Sequence, residues 1–506
     1  MRPAAALAVA ALAAAAPAPA GAVVDPFVCP ARGGPAWREL TSPHFRLLTD
    51  VDPERARRIA RDLEDVRATL ARFMFGSAPA PEGRVRVIAF AERAQFDAHS
   101  PAGAAGWFTW SAGERTVLVP AALAEDSREL LAHELTHDLL DRVFARQPRW
   151  FSEGVATFLQ SAGRRDEPLF GARPAGMARW LTPFRGGLGP LLLARGRLDG
   201  AQYALSYALV HHLVTEQGPA FADLQARFAR GEDPLRAWIT VFPRWNPFDD
   251  AAGRDLDRAV GQHFLPGVKV MRAPRREGRY AVEERPLSSG EVHALRLAIP
   301  ATSHEARLDL TRELRAEAEE ALREDPGLVL ALGVLADLDP ARLPELAARA
   351  VKAHPEDALA WRLQARASTE PAAAEAAHRK AVALAPEDPV VLNGAAGFLA
   401  RAGRHAEALP LAMKAARARP GWPAILDTLA AALDGLGRCP EALTVQRRAA
   451  EAAGEQLSDD LLERLGALEE RCGEAVPRPE LPVSAPGEKE APDPAAPPPW
   501  RLRPAP

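Results

Sequence analysis

The chain has 506 residues, of which 47% are hydrophobic and 26% charged, and a formal net charge of −4. That length is too great for one hydrophobic core and calls for two or three domains of ordinary water-soluble composition. The nearly balanced charge offers no broad basic field, so no nucleic-acid partner is expected.

The chain begins "MRPAAALAVAALAAAAPAPAGAVVDP". One arginine, a short apolar run, prolines and then small residues make the pattern of a secretory signal peptide over residues 1–22, cleaved after Ala20 or Ala22. No later segment holds about 18 uninterrupted apolar residues. No membrane span is therefore expected after signal cleavage, and the mature chain is expected to be exported, periplasmic or extracellular. Cys29 follows Phe27 and Val28, a poor context for lipid attachment. The other two cysteines, Cys439 and Cys472, lie on neighbouring predicted helices, and an oxidising compartment permits them to pair. Three cysteines at such spacing exclude a zinc knuckle.

Residues 37–50 alternate like a strand pair. Residues 52–75 have helical periodicity, with Pro53 at the start and Ile59, Leu63, Val66 and Leu70 on one face. Residues 84–90 read as a strand and 106–120 as a hairpin turning at 111–114. Helices follow near 127–145, 152–162, 201–218, 219–230, 234–241 and 253–264. Strands followed by helices indicate an α+β domain over 36–265. Residues 266–312 read as a connector with short strands.

From 313 to 475 the chain becomes strongly helical. Pro326, Pro355, Pro386 and Pro420 recur at intervals of 29, 31 and 34 residues. Ala374 and Ala381, Ala408 and Ala415, and Ala442 and Ala449 repeat at 34, as do "GRHAEAL" and "GRCPEAL". This resembles an all-α tetratricopeptide array of about four units, the first two shortened. Such units bury their apolar faces by stacking and leave a concave surface suited to a protein partner. Residues 476–506, rich in Pro and Ala, read as a disordered tail.

The stretch "DSRELLAHELTHDLLDRVF" opens with Asp126 as N-cap and Glu129 three residues on, a capping box. His133 and His137 are one helical turn apart, so both imidazoles project from one face and can share one ion. Glu134 points to the side where a metal-bound water would sit. A catalytic zinc takes three protein ligands, and Glu153, sixteen positions after His137 and across a proline turn, is the candidate third. Ser152 can cap the second helix or hydrogen-bond a ligand. Gly154 and Ala156 are small enough to let these two helices approach each other. Asp138 and Asp141 are weaker candidates, and the metzincin continuation is absent.

"HELTH" followed by "PRWFSEGVATFLQ" resembles the bacterial peptidase MA-like domain, a gluzincin related in plan to thermolysin. The resemblance covers residues 36–265. It implies an α+β zincin-like metallopeptidase domain ahead of the repeats, with one Zn2+ on His133, His137 and Glu153 and Glu134 as general base. It further implies an edge strand at 106–110 that pairs with a peptide or protein substrate. Where thermolysin-like enzymes often carry an aspartate that orients a ligand, this chain has Thr157. A downstream donor for the oxyanion is sought in Tyr203 or Tyr207, then His211 and His212. The expected reaction is peptide hydrolysis by a zinc-activated water. The alternative is a non-catalytic scaffold whose repeats carry the function.

Overall fold

The computed structural model describes residues 28–472 apart from 77–78, 82, 101–103, 112–113, 123–127, 145, 165–167, 175–176, 178–180, 182–186, 195–197, 265–267, 273–277, 300–303, 420 and 454–457. The predicted signal peptide, the Asp126 N-cap and the 476–506 tail lie outside the described residues.

The strands in chain order are Arg38–Thr41 (β1), Phe45–Thr49 (β2), Val85–Phe90 (β3), Trp107–Ser111 (β4), Glu114–Pro120 (β5), Leu169–Phe170 (β6), Met271–Arg272 (β7) and Glu283–Pro286 (β8). Six of them form one sheet in the order β4-β5-β3-β2-β1-β8, and β6 pairs with β7 separately. The β2–β3 and β3–β5 pairs are parallel, and the other pairs in the sheet are antiparallel.

Helices Pro53–Phe75 (α1), Arg93–His99 (α2), Arg128–Val143 (α3), Arg149–Gln160 (α4), Leu188–Leu193 (α5), Gly200–Glu216 (α6), Gly218–Ala229 (α7), Pro234–Val241 (α8) and Asp250–Phe264 (α9) build on this sheet. Asp52 caps α1 by accepting from the Glu54 and Arg55 amides, with Pro53 in the first turn, which satisfies donors that a helix start leaves open. Strand residues alternate between the two faces. Leu47, Val87, Ala89 and Val117 pack with Ile59, Leu63 and Leu70 of α1 and with Leu131 and Leu135 of α3. Leu48, Ile88, Phe90 and Leu118 face the other way, onto Phe96 of α2 and Val292 and Leu295. Those last two belong to Ser289–Ala298 (α10). The stretch read as a connector therefore supplies both an edge strand, β8, and the helix that covers the second face.

The remaining helices are His304–Glu324 (α11), Val329–Leu338 (α12), Leu343–Ala353 (α13), Ala358–Ala367 (α14), Pro371–Leu384 (α15), Pro389–Arg401 (α16), His405–Ala418 (α17), Pro423–Gly435 (α18), Cys439–Ala453 (α19) and Asp459–Cys472 (α20). They form a helical repeat domain of tetratricopeptide type. The pairs α12/α13, α14/α15, α16/α17 and α18/α19 follow one another, and the first two have the shorter leading helices. Ala381, Ala408, Ala415, Ala442 and Ala449 are fully buried, because a small side chain is what allows the paired helices to pack closely. The repeated turn is visible atom by atom. Gly403 and Gly437 have φ of 73° and 71°, a left-handed geometry that glycine adopts without steric cost. The following Arg404 and Arg438 each donate from Nε to Glu407 and Glu441, both at 2.7 Å. Cys439 and Cys472 are disulfide-bonded, with Cα atoms 5.6 Å apart, which fastens α20 to α19. No helix among the described residues is long and apolar enough to cross a membrane.

Candidate metal centre

Helix α3 carries its core side chains at Leu131, Leu135, Leu139 and Leu140, which fixes its rotation against the sheet. His133 and His137 then project one turn apart from another side of the helix. Helix α4 packs beside α3 and brings Glu153 to them. The two Nε2 atoms are 3.2 Å apart, and Glu153 Oε2 lies 3.4 Å from each. Zinc bonds of about 2.0–2.2 Å in tetrahedral geometry place neighbouring donor atoms about 3.3 Å apart. The triangle of donors thus has the size a single zinc ion requires.

The supporting contacts fix each ligand. His137 Nδ1 is 2.9 Å from Ser152 Oγ, so Ser152 orients a ligand and does not cap α4, which starts at Arg149 behind Pro148. Gln160 hydrogen-bonds His133. It occupies the supporting role that sequence reasoning sought at position 157. Thr157 is buried, and its Oγ1 has no hydrogen-bond partner among the described residues. The residues 153, 157 and 160 lie on one face of α4 at helical spacing, and that spacing was the signal for Gln160. Arg149 Nε approaches Glu153 Oε1 at 3.2 Å.

Electrostatics match the geometry. Burial raises the Glu153 carboxyl, but the charge of His137 and hydrogen bonds from both histidines outweigh it and hold the group well below the usual range. Burial lowers His133, yet its hydrogen bond to Glu153 and the charges of Glu134 and Glu153 leave it raised overall. Desolvation raises Glu134, against the pull of His133 and His137, and its carboxyl accepts from the Phe108 amide of β4. A Cβ on Gly106 would sit 3.0 Å from Glu134 Cγ, so the edge strand lies directly against α3.

The other named residues divide. Tyr203 faces the site: its hydroxyl is hydrogen-bonded with Glu153 and Arg149, and burial raises it. Tyr207 does not, because its hydroxyl is spent on the Gly171 carbonyl at 2.8 Å in the core. His211 donates from Nε2 to the Lys269 carbonyl and contacts His263 Nε2 through Nδ1, both at 2.8 Å. His212 is buried beside His263 and Trp245. Asp138 turns away to Arg142 and Arg115. Gly154 has a different neighbour from the one expected. A Cβ there would meet the Ser206 carbonyl oxygen at 2.5 Å, so it permits the crossing of α4 with α6, not with α3.

No family model matches the chain, and no curated protein does. Among solved structures, it is similar to a tetratricopeptide-repeat protein of Thermus thermophilus, with 22% identity, 32% of this chain and 93% of that one covered, and a TM-score of 0.28. It is similar to MamA at 20% identity, covering 30% of this chain and 94% of that one, with a TM-score of 0.24. Yeast Tom70 matches at 15% identity over 69% of this chain and 75% of its own, with a TM-score of 0.28. The first of these is described as a tetratricopeptide-repeat protein, and none of the three is described as a peptidase.

The peptidase expectation is corrected accordingly. The peptidase MA-like and gluzincin resemblance, the zincin-like name for the first half, and the assignment as a zinc metallopeptidase acting on a peptide substrate are not retained. The catalytic roles given to Glu134, Tyr203 and Tyr207 go with them. The physical reason is that HExxH spacing establishes that two imidazoles share a helix face, which is a statement about ligands and not about a reaction.

Proposed function

We propose that this chain is a protein-interaction scaffold: the helical repeats hold a protein partner on their inner face, and the α+β half carries one Zn2+ on His133, His137 and Glu153. The leading helices α12, α14, α16 and α18 pack on one another in a row, and in a stacked array the row of helices in mutual contact forms the inner face. On two of these neighbours, Arg362 Nε and Asn393 Oδ1 are buried and have no hydrogen-bond partner among the described residues. A Cβ on Gly394, next to Asn393, would sit 3.4 Å from Arg362 Cδ, so α14 and α16 are in close contact beside these two groups. Buried polar atoms left unpaired cost about 1–3 kcal/mol each, and the backbone of an extended partner segment offers both the acceptor and the donor they need. These two unpaired groups on neighbouring leading helices are the observation that carries the reading.

The zinc ion would fasten α3 to α4 as a structural element. Its support is the match between the donor triangle and zinc geometry, with Ser152 and Gln160 orienting the two imidazoles. Export to an oxidising compartment agrees with the N-terminal sequence and with the Cys439–Cys472 bond. The test is affinity purification of the full chain from cells that make it, after mild cross-linking. The Arg362→Ala/Asn393→Ala variant is expected to recover its main partner at least tenfold less well while keeping wild-type helicity. Equal recovery would contradict the proposed face.

A further inference from the structure

We infer that Cys29, His293 and Glu320 form a second metal site, distinct from the histidine pair of α3, that takes a zinc-class divalent cation through a thiolate, an imidazole and a carboxylate. The three residues come from three elements: the segment ahead of β1, helix α10 and helix α11. Their donor atoms all lie within 4.8 Å of one another. Zinc bonds of about 2.3 Å to sulfur and 2.0–2.2 Å to nitrogen and oxygen put such donors about 3.5 Å apart. Cys29 and His293 are fully buried, at 1% and 0% exposure.

The surroundings have the form of a built ligand set. His293 Nδ1 is 2.6 Å from Glu317 Oε1, and Arg296 Nε holds the other oxygen of Glu317 at 3.4 Å. A carboxylate on one ring nitrogen fixes the tautomer and leaves Nε2 as the ligating atom, which is the usual support for a metal-bound histidine. Arg32 Nη1 approaches Glu320 Oε1 at 3.2 Å and Arg323 approaches Oε2 at 3.7 Å, both from the exposed side. Cys29 is held by its own backbone: its carbonyl accepts from the Arg32 and Gly34 amides at 2.8 and 3.1 Å. Coordination would bind the buried thiol as thiolate and add a metal bond to the imidazole and the carboxylate beside their existing partners.

The position gives the site its work. Helix α10 covers the sheet, while Ala318 and Ala321 of α11, together with Leu297, belong to the first core of the repeats. A metal bridging Cys29 to both helices clamps the start of the α+β half onto the helix pair that leads into the repeats. Nothing in the sequence announces it, because Cys29 and His293 are separated by 264 positions.

The test uses Co2+ on the metal-stripped full chain. A cobalt–thiolate bond gives a sulfur-to-metal charge-transfer band, which the ligands His133, His137 and Glu153 cannot produce because they hold no sulfur. The other two cysteines are tied up as a disulfide, so the band reports Cys29. We expect the band in the wild-type protein, its retention in His133→Ala/His137→Ala, and its loss in Cys29→Ser. Zinc stoichiometry is expected to fall from two per chain to one in each variant. The first readout needs no variant, so a folding defect in Cys29→Ser does not blunt it. Cobalt-loaded wild type without a thiolate band overturns the site, as does a band that survives Cys29→Ser. A chain that shows the band but binds no metal at His133 and His137 overturns only the zinc in the proposed function.

Discussion

Replacing Gly154 with alanine pits two opposite effects against each other. Alanine is the better helix former by about 1 kcal/mol, which by itself would stabilise α4. The new methyl, however, would sit 2.5 Å from the Ser206 carbonyl oxygen, 2.6 Å from Val210 Cγ2 and 2.9 Å from the Ser206 carbonyl carbon. Two of these atoms are backbone of α6 and cannot rotate away. Reaching ordinary contact near 3.4 Å means opening the α4–α6 crossing by about 0.9 Å in a close-packed core. Overpacking of this kind costs about 1–3 kcal/mol, and a backbone clash belongs at the upper end. The net expectation is a loss of about 1–2 kcal/mol, read as a lower urea midpoint for the first half. Glu153 is the preceding residue, so the same displacement should weaken zinc binding by about tenfold or more, in line with other disturbed ligand supports. Gly333→Ala in α12 is the control, since a Cβ there meets nothing within 4 Å. It should stabilise the repeats by about 0.5–1 kcal/mol. A Gly154→Ala protein as stable as wild type, with unchanged zinc affinity, would refute the close approach and its link to the site.

Ser152→Ala removes the hydrogen bond to His137 Nδ1 and should lower zinc affinity about 10–100-fold without unfolding the chain; competition titration with a chelator checks this, and an unchanged affinity counts against the triad. Cys439→Ser/Cys472→Ser opens a loop with a sequence separation of 33, which removes about 3–4 kcal/mol on the chain-entropy account. Because repeats unfold locally, hydrogen exchange should accelerate chiefly in α20, and protection equal to wild type would count against the clamp. Burial pushes His211 and His212 each down to about 4. Charge repulsion from His263 assists, Lys269 and Arg244 stand close by, and Glu216 opposes for His212. The unfolded chain binds these protons below about pH 6.5, so stability is whole above that pH and falls as pH drops toward 4, by about 3 kcal/mol per histidine. His212→Leu should flatten roughly half of that slope in urea midpoints taken against pH, and an unaltered slope would place the acid sensitivity elsewhere.

The pattern of what could be read from the chain follows from range. Helix α1 was legible because its cap, its first-turn proline and its apolar stripe are all local. The 34-residue alanine spacing marked the repeats for the same reason, since each unit packs chiefly on its neighbours. His133, His137 and Glu153 converge because one helical turn and one short helix–helix connection determine their placement. Tyr203 and Tyr207 share a helical side, but that spacing does not say what each one meets, and the Tyr207 hydroxyl meets the Gly171 carbonyl. Gly154 was assigned to the wrong helix pair on the same ground. The step from HExxH to peptidase failed at a further level, since ligand spacing does not specify chemistry. The pairing of β8 with β1 and the meeting of Cys29 with His293 depend on contacts across more than two hundred residues, where no periodicity survives to report them.

The most direct measurement of the central claim is site-specific photo-cross-linking in producing cells, with the cross-linker placed at Asn393 on the inner helix α16 or at Lys380, which is exposed on α15. The account predicts a discrete adduct with one intact protein from Asn393 and none from Lys380. The same adducts from both positions, or a trapped protein that is cleaved in a manner requiring Glu134, would contradict it.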